Sequence, residues 1–294
     1  CLDRFFFGID YLSQKQFENK VELIKDDIRW FDPKILDEVD VVIDLAALSN
    51  DPVGDLDPAK TYEINHLGRA RVSKLSKERG VSRYILASSA SIYGQQEEVV
   101  DENAAIKPLT AYSKANRKAE ESALPLNDDS FTVTALRFSS VYGISPRMRF
   151  DTAVNVMVLD LFNKGKITVR GQGNKRPFVH ILDVARAYEV VINASKEKIG
   201  GQIFNVGSDE QNYEMGQLAK EITDGVGEEC QLELEDSPDH RSYTASFSKI
   251  RETLNFVPNY TVKQGAKEIY EALKSGALKE TKKTKTVEWY KTLL

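Results

Sequence analysis

The stretch "LTAYSKANRKAE", Leu109 to Glu120, places a tyrosine in the first turn of an expected helix, behind the loop "ENAAIKPLT". A phenol can take a proton from an alcohol, but with an ordinary pKa near ~10 it is a poor base at neutral pH. A cation one helical turn away favours the phenolate, because residues four apart share a helix face. The residue four after Tyr112 is Asn116, which carries no charge. Lys114 lies about 200° around the helix from Tyr112 and cannot take that place without a change of register. Upstream, "ASSASIYG" ends an apolar strand with three hydroxyls, Ser88, Ser89 and Ser91. Hydroxyls so close to a buried strand must find partners, and a substrate hydroxyl or carbonyl is one.

Other strand ends carry a second kind of chemistry. Asp3 follows a strand fragment in "CLDRFFFG". In a dinucleotide-binding sheet, an acidic residue there accepts hydrogen bonds from both adenosine ribose hydroxyls. It also repels a 2′-phosphate, which favours NAD over NADP, although Arg4 beside it works the other way. In "KDDIRW", the Asp27 carboxylate suits the exocyclic amine of adenine, and Ile28 suits the face of the ring. "DLAAL" offers Leu45, Ala46 and Ala47 where a backbone must approach a flat ligand; tight core packing is the plain alternative for two alanines.

These residues need a scaffold that aligns strand ends. "VDVVIDLAAL", "RYILASSA", "FTVTALRFSSVYG" and "QIFNVGS" read as buried strands, too continuously apolar for a sheet with one wet face. "TYEINHLGRARVSKLSKERG" and "LDVARAYEVVINAS" read as helices, the first stopped by Gly80. Strand–helix alternation predicts an α/β fold with a parallel sheet and helices on both faces, with ligands beyond the carboxyl ends of the strands. After Gly143 arginine-bearing loops appear, "GISPRMRFD" and "GQGNKRPF", suggesting a smaller lobe partly interleaved with the first.

Composition excludes several classes. The 294 residues are 41% hydrophobic and 29% charged, as in globular chains rather than disordered ones. A formal net charge of -5 without a dense basic run argues against nucleic-acid binding. The basic "KETKKTKTVEWYK" reads as a solvated tail or helix. Cys1 and Cys230 make neither a disulfide framework nor a metal site, and no apolar run is long enough to cross a bilayer. No metal is expected, and the expected setting is cytoplasmic.

Taken in order, "LDRFFFG", "DDIRW", "DLAAL", "EIN", "ASSASIYG", "PLTAY", "LRFSSVYG", "RPFVHILDVARA", "FNVGS" and "HRSYTASFSKI" resemble the extended short-chain dehydrogenase/reductase family. The likeness is to its NAD-dependent nucleotide-sugar epimerases and dehydratases, the UDP-glucose 4-epimerase-like branch. It implies a Rossmann-like doubly wound parallel sheet over residues 1–143 and about 178–206. A smaller α+β sugar-nucleotide lobe would take about 144–177 and 207–294. The family's first strand and glycine-rich turn are missing, so an N-terminal segment bearing them is expected to precede Cys1.

The resemblance implies roles residue by residue. Ser89 would orient the sugar hydroxyl and Tyr112 would be the acid/base, with Asn116 at the position of the family's lysine. Asp3, Arg4, Asp27, Ile28, Leu45, Ala46, Ala47, Ser88 and Tyr112 would line the NAD, with Asn65 supporting the structure beside it. Ser89, Ser140 (often asparagine in relatives), Asn155, Arg176 and Arg241 would hold the sugar nucleotide, the arginines on its diphosphate. Asn116 carries the expectation of impaired catalysis, relieved by lysine. Dehydratases of the family place an Asp–Glu pair after the catalytic hydroxyl; here Ala90 and Ser91 stand there, so epimerisation, at C4, is the expected reaction. An NAD(P)-dependent nucleotide-sugar 4-ketoreductase or dehydratase, and a non-catalytic dinucleotide- or sugar-nucleotide-binding protein, are the alternatives. A homodimer is expected, paired through the "TYEINHLGRARVSKLSKERG" and Tyr112 helices.

Overall fold

In the computed structural model, residues 1–9, 20–236 and 241–293 are described. His240, which opens the "HRSYTASFSKI" segment, lies outside them. The chain divides into two compact units, one of Cys1–Ser88, Thr110–Ala135 and Ile199–Gln202, the other of Ser89–Leu109, Leu136–Lys198 and Ile203–Leu294.

The first unit begins with two short strands, β1 (Leu2–Asp3) and β2 (Ile24–Lys25), paired in parallel. Strand β3 (Val41–Asp44) pairs in parallel with β4 (Arg83–Ser89), Val41 opposite Arg83 and Asp44 opposite Leu86. Between them lie α1 (Asp51–Gly54), α2 (Pro58–Tyr62), a π-helical segment (Glu63–Gly68) and α3 (Arg69–Glu78). The single helix expected there is therefore interrupted. A π-turn adds a residue to the ladder and re-aims the side chains beyond it, and here both Asn65 and Arg69 turn inward to full burial. Gly80, at φ +79, makes the left-handed turn that ends the helix.

Helix α4 (Ala111–Ala123) starts where a capping box predicts. The Thr110 hydroxyl accepts the Ser113 N–H at 3.1 Å, and the Ser113 hydroxyl accepts the Thr110 N–H at 3.0 Å. Alanines at 115, 119 and 123 form its buried face. β6 (Thr132–Phe138) enters beside β4, with Thr132 N–H donating to Ser82 O at 2.9 Å. The larger sheet has the order β10-β6-β4-β3, β10 being Gln202–Val206. Tyr84, Ile85, Leu86 and Val133 are sealed from solvent, as expected for strands covered on both faces.

The second unit holds β5 (Gln95–Val100), β7 (Ser140–Tyr142), β8 (Lys166–Arg170), β9 (Lys175–His180), β11 (Asn212–Glu214), β12 (Gln231–Glu235) and β13 (Ser242–Ala245). Its helices are α5 (Ala153–Lys164), α6 (Ile181–Asn193), α7 (Lys196–Ile199), α8 (Met215–Val226), α9 (Ser248–Leu254), α10 (Val262–Lys274) and α11 (Thr286–Tyr290). "FTVTALRFSSVYG" is thus two strands rather than one. At Ser139 the backbone N–H turns to Val206 O, and β7 pairs in parallel with β9 instead. Phe150, Val154, Val158, Ile167, Val169, Leu218, Ile222, Ala266 and Ile269 form this unit's core, where α5 and α8 meet β8 and α10 packs on both helices.

Candidate active site

At the strand ends of the first unit, Leu45 comes just after β3 with 61% of its surface exposed, beside the half-buried Ala46 and Ala47. Asp3 is exposed at the end of β1, its Oδ1 accepting the Phe5 N–H at 2.5 Å. An open apolar ledge and an acidic strand end fit a flat ring and a ribose. Asp27 is engaged otherwise: Oδ1 accepts from Arg29 Nε at 3.0 Å, and Oδ2 from Arg29 Nη2 at 2.9 Å and Arg4 Nη1 at 3.5 Å. Burial pushes the Asp27 carboxyl up, but the Arg29 hydrogen bonds outweigh it and hold the group below its ordinary range. Arg4, so placed, also lies over the Phe6 ring at 5.4 Å.

Ile28 packs against the bare backbone of Gly68, where an added Cβ would stand 2.8 Å from its Cδ1. Asn65 fixes the loop after β3: its Oδ1 accepts the Leu48 N–H at 2.8 Å and its Nδ2 donates to Leu48 O at 3.0 Å. Ser88 is buried and donates to Glu120 Oε1 at 2.6 Å.

Tyr112 sits in the first turn of α4, and α1 crosses so closely that a Cβ on Gly54 would meet Tyr112 Cβ at 2.8 Å. Asn116 is buried, with Nδ2 donating to Tyr112 O at 3.1 Å. Its Oδ1 accepts from Arg69 Nη1 at 2.8 Å. Arg69 and its partner Asp44 escape a reading of motifs. Only the aspartate lodged in the apolar run "VVIDLAAL" hints at Asp44, and Arg69 is one of two arginines in "HLGRARV".

In the second unit, Ser89 Oγ donates to Ser91 Oγ at 2.9 Å and accepts the Ser91 N–H at 3.2 Å. Ala90 and Ser91 are both buried. The same segment leads into a network that sequence motifs do not signal. Tyr93 donates to Asn205 Oδ1 at 2.8 Å and accepts from Arg137 Nη1 at 2.9 Å. Burial pushes its phenol up to about 12, against the pull of Arg137.

Ser140 is half-buried in β7. The Asn155 amide ties down the loop after β7, accepting the Gly143 N–H at 3.1 Å and donating to Arg149 O at 2.9 Å. Arg176 is buried in β9, over the Tyr243 ring, and donates to the carbonyls of Lys175 and Arg241. Arg241 is half-buried just before β13. Asn155 and the Arg176–Arg241 pair thus lie on separate local networks. Among the described residues, no group of His, Cys, Asp and Glu could hold a metal ion, and no helix is long and apolar enough to cross a membrane.

Comparison with known proteins places this geometry. A sequence model described as the NAD dependent epimerase/dehydratase family matches residues 11–207. An uncharacterized UDP-glucose epimerase of Bacillus subtilis is 26% identical over 257 residues, covering 84% of this chain and 79% of its own. A UDP-glucuronate 4-epimerase of Thermodesulfobacterium geofontis is 25% identical over 234 residues, 78% of this chain and 71% of its own. Among solved structures, UDP-glucuronic acid 4-epimerase from Bacillus cereus, in complex with UDP-glucuronic acid and NAD, superposes with a TM-score of 0.78 at 22% identity. That likeness covers 88% of this chain and 84% of the other. The fold is Rossmann-like α/β with parallel sheets.

Proposed function

Because the chain belongs to the NAD dependent epimerase/dehydratase family, we propose that it is a nucleotide-sugar epimerase acting at C4 of a UDP-linked hexose. The observation that carries this reading is the pair after Ser89. Ala90 and Ser91 are buried and hold no carboxylate, so the proton transfers of a dehydration lack donors there. Epimerisation needs only the hydroxyl proton removed and given back to the same oxygen, while the C4 hydride leaves and returns on the other face of the carbon. Both relatives named above are epimerases in their descriptions.

In this reading Tyr112 takes the proton of the C4 hydroxyl and gives it back, and Ser89 holds that oxygen in line. Bound NAD supplies a reversible acceptor for the C4 hydride. Asp3 receives the ribose hydroxyls, and Leu45, Ala46 and Ala47 form the ledge beneath the adenosine, with Ile28 at the ring. Asp27, already doubly bound by Arg29, contributes carboxylate lone pairs that remain acceptors. Arg176 and Arg241 neutralise the diphosphate. The site works in the cytoplasm as one half of a homodimer.

The test is incubation with NAD and UDP-glucose or UDP-glucuronic acid in D2O, then NMR of the products. The C4 epimer should appear at unchanged mass without solvent deuterium on carbon. Loss of water with deuterium uptake would make the protein a dehydratase. Consumption of added NADH in proportion to a keto sugar would make it a reductase.

A further inference from the structure

Arg69 opens α3 with a side chain that is 1% exposed. Its Nη1 donates to Asn116 Oδ1 at 2.8 Å, and its Nη2 donates to Asp44 O at 3.3 Å and to Ala87 O. Nε lies 3.6 Å from Asp44 Oδ1, and Asp44 Oδ2 in turn accepts the Tyr84 hydroxyl at 2.6 Å. Withdrawing a guanidinium from water costs several kcal/mol unless it is paired and hydrogen-bonded. The guanidinium is therefore satisfied by backbone carbonyls and by Asn116 as well as by its pairing with Asp44, and the contact to Asn116 carries it to α4.

Asn116 has its amide held at both ends, the carbonyl on Arg69 and the NH2 on the Tyr112 carbonyl. The amide dipole therefore links the buried cation to the turn that carries Tyr112. We propose that Arg69 supplies the positive charge for Tyr112 that α4 lacks at its own i+4 position, with Asn116 as the connecting amide. The proposal rests on the assignment of Tyr112 as the proton-transferring group. Arg69 is then a positioning residue, its charge buried where it is screened least.

The charges around α4 are of both signs, among them the buried Glu120, which Arg117 pairs at 3.3 Å. Asp44 stands on the β3 side, so the cationic end of the pair faces α4. Burial pushes the Asp44 carboxyl above its ordinary range, though Arg69 opposes this. At the start of α4, Asp51 accepts the Thr110 hydroxyl at 2.5 Å and Asp55 accepts the Ala111 N–H at 3.1 Å. Both carboxylates disfavour a phenolate nearby. The helix N-terminus favours it, and His66, which meets Ser122 at 3.1 Å, stands at the far end. Arg117 and Lys118 of α4 are paired with Glu120 and Glu121, and Arg69 is the guanidinium buried against the helix.

The experiment titrates Tyr112 in the full chain labelled with 13Cζ-tyrosine, its resonance assigned with Tyr112→Phe, beside pH profiles of kcat/KM. Arg69→Met should raise the Tyr112 titration and the acidic limb by about one pH unit, with roughly tenfold less turnover at pH 7. Asn116→Lys alone sets two cations against each other and should lose activity. Combined with Arg69→Thr, it should return both readouts to near wild type. An unchanged titration in Arg69→Met, or higher turnover from Asn116→Lys with Arg69 in place, would overturn the proposal. Should Arg69→Met not fold, the double variant decides by whether its titration matches the wild type. A titration that depends on Arg69 in a protein without epimerase activity would refute the C4 reading while upholding the charge.

Discussion

At the scale of single residues, the proposed chemistry turns on the Tyr112 phenol. Tyr112→Phe keeps the ring and removes the proton carrier. Turnover of UDP-glucose should fall by about 10²–10⁴-fold while KM changes little, as steady-state kinetics would show. Tyr93 is the contrasting phenol, pushed by burial up to about 12. Its stabilising contribution is complete below pH ~10, the unfolded value, and is lost as pH rises through about 12. Two units correspond to ~3 kcal/mol. Urea midpoints should therefore drop steeply between pH 10 and pH 12, and less steeply in Tyr93→Phe. The motif "ASSASIYG" makes Ser89 conspicuous and says nothing of Tyr93; Arg137 and Asn205, distant in sequence, are what bind Tyr93 into the core.

At the scale of elements, helix α4 is set by its first turn and by the backbone that crosses it. The Thr110 cap also donates to Asp51 on α1, so Thr110→Ala removes three contacts. Thermal unfolding should report a loss of ~1–2 kcal/mol. Gly54→Ala drives a methyl to 2.8 Å from Tyr112 Cβ and 3.1 Å from Tyr112 N, where a backbone rather than a flexible side chain must yield. We expect ~1–3 kcal/mol of destabilisation, with turnover lowered beyond what the Thr110 variant shows, because Tyr112 itself is displaced. The capping pattern Thr110–Ser113 was open to reading from the sequence, since it is local. The tight crossing was not, since nothing in "DPVGDLDP" says which helix Gly54 will meet.

At the scale of the whole molecule, a ligand that binds the folded chain and not the unfolded one must stabilise it. NAD at a hundredfold excess over its dissociation constant should add ~2.7 kcal/mol, read as a higher melting temperature. NADP should add less, because the exposed Asp3 carboxylate faces a 2′-phosphate with like charge, and Asp3→Asn should narrow the difference. Equal shifts from both dinucleotides would remove Asp3 from the ribose site.

Periodicity and strand-end chemistry determined the parallel α/β plan, because burial on both faces writes itself into runs such as "RYILASSA" and helix caps are local in the chain. The order of motifs determined the family for the same reason: each segment acts through residues adjacent in sequence. What tertiary structure alone decided is the environment of Asn116. From the sequence it was a missing lysine. In the folded chain, Arg69, forty-seven positions away, brings a guanidinium to that amide, held by Asp44 from a third element. Charge placement of this kind depends on which helix packs on which strand end. No local pattern encodes it.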